Sequence, residues 1–98
     1  MKESFLQTLF EIIEERKNSS VKKSYTKSLF EEGSTKINEK VLEESIELLE
    51  ATKDNSNSKK QKVIHEAADL WFHTMVLLSN EEIEIEEVLE ELKARFGT

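Results

Sequence analysis

Apolar residues recur along this chain at helical spacing. Phe5, Leu9 and Ile12 share a stripe with Arg16, and Leu6, Phe10 and Ile13 lie beside it. That spacing predicts a first helix from about Ser4, a suitable N-cap, to about Lys17. Asn18-Ser19-Ser20 breaks it. Ser24 to Phe30 reads as a short helix or turn that stops near Gly33, anchored by Tyr25, Leu29 and Phe30. A third helix should run from Ser34 or Thr35 to about Thr52. It presents Val41, Leu42, Ser45, Ile46, Leu48 and Leu49 as one broad apolar face, with Lys40, Glu44, Glu47 and Ala51 opposite and Glu43 at the edge. Residues 54–60, almost free of apolar side chains, form an exposed loop. The fourth helix, about Lys60 to Ser79, is apolar from Ala67 to Leu78 except at Asp69, His73 and Thr74. The fifth, about Ile83 to Phe96, turns Ile85, Val88, Leu89, Leu92 and Phe96 inward and ends at Gly97. Strand-like alternation is missing, so the chain reads as an all-α bundle of four to five helices, a single domain over residues 1–98.

Two polar clusters interrupt this apolar pattern. Glu43, Glu44 and Glu47 lie on the third helix, and Glu66 and Asp69 open the apolar run of the fourth. A helix that is apolar nearly all round is an interior helix, where a carboxylate is costly unless a cation or donors compensate it. Glu44 and Glu47 are three apart, as are Glu66 and Asp69, so each pair projects from one side of its helix. Antiparallel packing across the short connection would bring these four carboxylates together. Hard oxygen donors of that kind suit Mg²⁺. With no cysteine and two histidines, zinc is a poor fit.

His73 continues the stripe of Glu66 and Asp69, either as part of a site or as a core histidine bonded to Asp69. His65, off that stripe, reads as an ordinary exposed residue. A metal-held phosphate implies attack of water on a nucleotide phosphorus. Glu43, at the edge of the cluster, is placed to take the proton, and Lys40, one turn before Glu44, to neutralise phosphate charge. The plain alternative for Lys40 is an ion pair with Glu44. Arg16, at the end of an apolar face, either snorkels to water or reaches a buried anion.

Charge sharpens this picture. The chain has 98 residues and a formal charge of −7, which argues against nucleic-acid binding through a basic face. Acid also repels a phosphate ligand, unless a divalent cation sits between them. A chain of this size buries a modest share of its surface, so association into a dimer would help it. No stretch has the length of a membrane span or the form of a signal peptide, and the expectation is a cytoplasmic protein without membrane partners.

The order Ser24-Tyr25-Thr26, Leu29, Gly33, Lys36-Ile37, Lys40, Glu43-Glu44, Glu47, then Glu66-Ala67-Ala68-Asp69-Leu70 and His73 resembles the phosphoribosyl-ATP pyrophosphohydrolases, a branch of the all-α, MazG-like nucleotide pyrophosphatases. The paired acidic motifs belong to the wider superfamily; the Ser-Tyr-Thr stretch, Gly33 and Lys36-Ile37 point to the narrower family. The resemblance implies a homodimeric MazG-like bundle. It also implies Mg²⁺-dependent hydrolysis of 1-(5-phosphoribosyl)-ATP to 1-(5-phosphoribosyl)-AMP and pyrophosphate in histidine biosynthesis, with Mn²⁺ as a possible substitute ion. Glu44, Glu47, Glu66 and Asp69 would hold the metal. Lys40, Arg16, Ser24, Tyr25, Thr26, Lys36 and His73 would meet the substrate. Two departures from the family pattern stand out: Ser45 replaces a small apolar residue, and Trp71-Phe72 replaces leucine-tyrosine. The rival readings are a MazG-like hydrolase of (deoxy)nucleoside triphosphates and a non-catalytic helical dimerisation module.

Overall fold

The computed structural model describes residues 4–20 and 23–97. Among them are five helices: α1 (Phe5–Asn18), α2 (Tyr25–Glu32), α3 (Ser34–Ala51), α4 (Lys59–Asn80) and α5 (Ile85–Phe96). The protein is all-α, as the hydrophobic periodicity requires.

Local chemistry sets most of the boundaries. Ser4 caps α1 reciprocally with Gln7: the Ser4 Oγ accepts from the Gln7 amide, and the Gln7 Oε1 accepts from the Ser4 amide at 2.8 Å. Arg16 and Lys17 occupy the last turn, where cations complement the helix dipole. Ser24 caps α2 by accepting from the Lys27 amide at 3.0 Å. Gly33, at φ 95° and ψ −175°, ends α2 and starts α3 in one residue. A side chain there would meet no neighbour, but that backbone conformation is one only glycine adopts readily.

The fifth helix begins two residues later than the periodicity predicts. Glu82 takes φ 60°, which breaks the helical path after α4, and the extended Glu84 then caps α5 in a box with Glu87.

α3 and α4 form an antiparallel hairpin. Asn80 Nδ2 donates to Ser34 Oγ at 2.9 Å at one end, Glu44 lies beside His73 in the middle, and Lys62 pairs with Asp54 at the other. The core is confined to the Ser34/Asn80 end. There Phe10, Ile13, Leu29, Ile37, Met75, Val76 and Ile85 are buried together, with Leu6, Leu9, Phe30 and Leu89 packed around them. Ser79, fully buried, donates to Glu14, and Lys17 donates to the Ser79 carbonyl at 2.7 Å, which ties the end of α1 to the end of α4.

The broad apolar face expected on α3 is only partly covered within this chain, at Val41, Ser45 and Leu48. Its Leu42, Ile46 and Leu49 are 64, 49 and 64% exposed, and the buried residues of α3 are Ile37 and Glu44. On α4, Ile64 and Trp71 are likewise 51 and 60% exposed. The hairpin therefore turns its polar stripes inward and leaves much of its apolar surface outside.

Candidate active site

Side chains from α2, α3 and α4 meet midway along the hairpin. α3 supplies Lys40, Glu43, Glu44 and Glu47 on successive turns of one face. The Lys40 Nζ lies 3.1 Å from Glu43 Oε1 and 3.7 Å from Glu44 Oε1. The Glu43, Glu44 and Glu47 carboxylates each bring an oxygen within 4.8 Å of the others. On α4, His65, Glu66 and Asp69 form a second group with the same mutual limit of 4.8 Å.

Two atoms give this arrangement chemical meaning. Glu44 Oε2 and Glu66 Oε1 are buried and, among the described residues, have no hydrogen-bond partner. A buried carboxylate oxygen without a donor loses its hydration and gains nothing in return. Glu44 responds accordingly. Burial, then the hydrogen bond and charge of Glu47, then the charge of Asp69, push its carboxyl up to about 7, with Lys40 opposing. Asp69 stands on α4, so the two acidic groups act on one another across the hairpin. The structure thus sets the predicted ligands in two groups, Glu44 and Glu47 on α3 and Glu66 and Asp69 on α4, each with a buried, unpartnered carboxylate oxygen of the hard kind that suits an ion such as Mg²⁺.

His73 is 5% exposed. Its Nδ1 is 2.8 Å from the Asp69 carbonyl oxygen and its Nε2 is 2.8 Å from the Tyr25 hydroxyl. The expected bond to Asp69 is thus made to that residue's backbone. Tyr25, the first residue of α2, stacks loosely on Phe72, with ring centroids 6.4 Å apart. Its phenol is raised above its ordinary range by burial, with Glu44, Glu43 and Asp69 adding to the effect and Lys40 opposing it.

Of the other residues singled out by sequence, Thr26 is buried beneath α2, and the Ser24 hydroxyl is engaged as a cap. Tyr25 is the exposed member of that segment, at 54%. Lys36 is half-buried one turn before Lys40. Arg16 is half-buried on the last turn of α1, beside Lys17, which reaches Ser79. Ten residues of α4 separate Ser79 from Asp69, about 15 Å along the helix, so Arg16 stands at the far end of the hairpin from Asp69.

Sequence reading underrated two features. His65 is exposed, yet its Nε2 is 3.3 Å from Asp69 Oδ2, a pairing its i, i+4 spacing foretells. Glu50 and Asp54 join Glu47, Lys62 and Glu66 around an open cleft of about 280 Å³ at the hairpin tip. Hydrogen bonds from Lys62 and Ser56 hold the Asp54 carboxyl well below the usual carboxylate range.

Known proteins match the chain over nearly its whole length. Residues 6–96 match the phosphoribosyl-ATP pyrophosphohydrolase family. The phosphoribosyl-ATP pyrophosphatase of Vesicomyosocius okutanii is 46% identical over 97% of this chain and 88% of its own length. Those of Geobacter metallireducens and Bacillus mycoides are 42 and 41% identical, over 99 and 97% of this chain and 86% of their own lengths. A match of this extent covers all five helices and both acidic groups, and the chain belongs to the phosphoribosyl-ATP pyrophosphohydrolase family.

Proposed function

We propose that the protein hydrolyses 1-(5-phosphoribosyl)-ATP to 1-(5-phosphoribosyl)-AMP and pyrophosphate, with Mg²⁺ held by Glu44, Glu47, Glu66 and Asp69. The observation that carries this reading is the pair of buried, unpartnered carboxylate oxygens, one on each helix of the hairpin, in a chain of this family. When bound, the ion neutralises phosphate oxygens and acidifies a water molecule. Mn²⁺, which also takes carboxylate oxygens, should substitute.

The protein's own groups divide the remaining work. Water attacks the α-phosphorus, the bond to the bridging oxygen breaks, and pyrophosphate leaves. Glu43 is exposed at the edge of the cluster and accepts the water's proton. Lys40, held between Glu43 and Glu44, offsets charge that grows on the leaving pyrophosphate. Tyr25, Ser24 and Lys36 meet the substrate from the α2–α3 side.

A second copy of the chain completes the fold under this proposal. Surface-to-mass scaling gives about 5,800 Å² for a folded monomer of this mass, whereas the chain exposes 7237 Å². Its radius of gyration, 15.2 Å, likewise exceeds the roughly 12.6 Å expected of a compact chain this long. The excess coincides with the exposed Leu42, Ile46, Leu49, Ile64 and Trp71. It also coincides with an apolar groove of about 340 Å³ between α1, α4 and α5. No helix among the described residues is long and apolar enough to cross a membrane. We assign the reaction to the cytoplasm because an ATP-derived substrate is found there.

The test compares pyrophosphate release from phosphoribosyl-ATP with release from a panel of deoxynucleoside triphosphates, with and without Mg²⁺. Preference for phosphoribosyl-ATP supports the proposal. Preference for the triphosphates transfers the protein to the house-cleaning branch, and no turnover of either leaves a dimerisation module.

A further inference from the structure

The hydrogen bonds of His73 assign it a role different from substrate contact. A carbonyl oxygen can only accept, so the ring nitrogen 2.8 Å from the Asp69 carbonyl, Nδ1, carries a hydrogen. In the neutral ring Nε2 is then bare, and it accepts the Tyr25 hydroxyl hydrogen at 2.8 Å. Both nitrogens are occupied by the protein, and the ring is buried at 5% exposure. No atom of it is left for a ligand. Glu44 Oε1 lies 4.0 Å from Nδ1, beyond hydrogen-bond range.

Tyr25 is complementary to this. Its hydroxyl is anchored, Phe72 lies against its ring, and the residue remains 54% exposed. Among the described residues, the Tyr25–His73 bond is the side-chain hydrogen bond that joins α2 to α4. It fixes the first turn of an eight-residue helix beside Lys40, Glu43 and Glu44, whose charges act on the phenol.

We propose that His73 is a positioning residue: it clamps the Tyr25 hydroxyl, holds the start of α2 at the rim of the carboxylate cluster, and affects the substrate through Tyr25 without touching it. This rests on the pyrophosphohydrolase reading given above. A side chain held before the ligand arrives loses less freedom on binding, so the clamp contributes to substrate affinity more than to the chemical step.

Steady-state kinetics on phosphoribosyl-ATP test the proposal with Tyr25→Phe, His73→Leu, the double variant and His73→Gln. Tyr25→Phe keeps the ring and deletes the donor. It should raise KM about tenfold, the size of one lost hydrogen bond, and change kcat by less than about threefold. His73→Leu should do the same, and the double variant should be no worse than the worse single one, because both break one bond. His73→Gln, whose amide oxygen can replace Nε2, should recover most of the loss. Mg²⁺ affinity by calorimetry should be unchanged in Tyr25→Phe.

An unchanged KM in Tyr25→Phe, additive losses in the double variant, or a collapse of kcat in His73→Leu at unchanged KM would overturn the proposal. Two readings do not depend on turnover. Nitrogen NMR of the native protein should show the Nδ1–H tautomer at His73, and amide exchange in the first turn of α2 should quicken in Tyr25→Phe. If the native protein does not hydrolyse phosphoribosyl-ATP, the reaction assignment fails, while the NMR and exchange results still decide whether the clamp exists. An Nε2–H tautomer, or unchanged exchange, rejects it.

Discussion

At the Ser34/Asn80 end of the α3–α4 hairpin, Ile37, Met75 and Val76 are sealed beneath α1, α2 and α5. At the Thr52/Lys59 end, Ile46, Leu49 and Ile64 stand about half or more exposed, beside Glu47 and Glu66. The same two helices thus carry a closed apolar base and an open tip that is acidic on one face and apolar on another. Glu44 and His73, both 5% exposed, mark the boundary between them. The base holds the fold together. The tip carries repelling carboxylates and uncovered leucines, and these are what the proposed ion and second chain would neutralise and cover.

Substitutions should separate the two ends. The largest effect is expected at the tip and in catalysis: Asp69→Asn and Glu47→Gln should each lower turnover by more than about 100-fold. Circular dichroism should show the helices intact, since neither side chain belongs to the core. Retained activity in either variant would remove that residue from the proposed metal ligands.

In the base the expected loss is of stability. Ile13 is 1% exposed, and Ile13→Ala should cost about 2–5 kcal/mol in urea unfolding. Ile46→Asp, at the tip, should instead shift the protein toward monomer in sedimentation. A monomeric native protein at micromolar concentration would refute the proposed dimer.

Gly33→Ala comes next, at about 1–2 kcal/mol, because its φ of 95° strains any other residue although the space is open. A neutral result would mean that the α2–α3 junction can relax.

A further effect is that of pH on the metal-free protein. The Glu44 carboxyl is raised from 4.5 to about 7 in the folded state, so the fold disfavours its ionisation. Its contribution to stability is fully present below pH 4.5 and is lost as pH rises through about 7. Tm should fall across that window, and Glu44→Gln should flatten the change. Metal affinity should run the other way and strengthen toward pH 7, because a ligand carboxylate must first lose its proton.

Much of the base and of the site was legible before any coordinates. The stripes of α1 and α4 are strongly periodic, and Ser4, Ser24 and Gly33 punctuate them with residues whose local chemistry leaves little choice. The carboxylate pairs were visible because spacing on a helix fixes direction. The outward face of α3 was not, because periodicity tells which residues share a face and not what covers it. A stripe such as Leu42, Ile46 and Leu49 looks the same whether it packs within the chain or beyond it. The start of α5 was misplaced because Glu82 adopts φ 60°, which no pattern of apolar residues reveals. The Tyr25–His73 bond joins residues 48 apart in the chain, and only the packing of α2 on α4 makes it.

The central claim is that acidic side chains from both helices hold one cation site. Thermal unfolding with and without Mg²⁺ tests it most directly, on the native protein, Glu47→Gln from α3 and Asp69→Asn from α4. At 100 times the dissociation constant, binding should add about 2.7 kcal/mol, a rise in Tm on the order of 10–20 °C, and either substitution should abolish most of it. A native Tm indifferent to Mg²⁺, or a shift that survives loss of the carboxylate on either helix, would contradict the account.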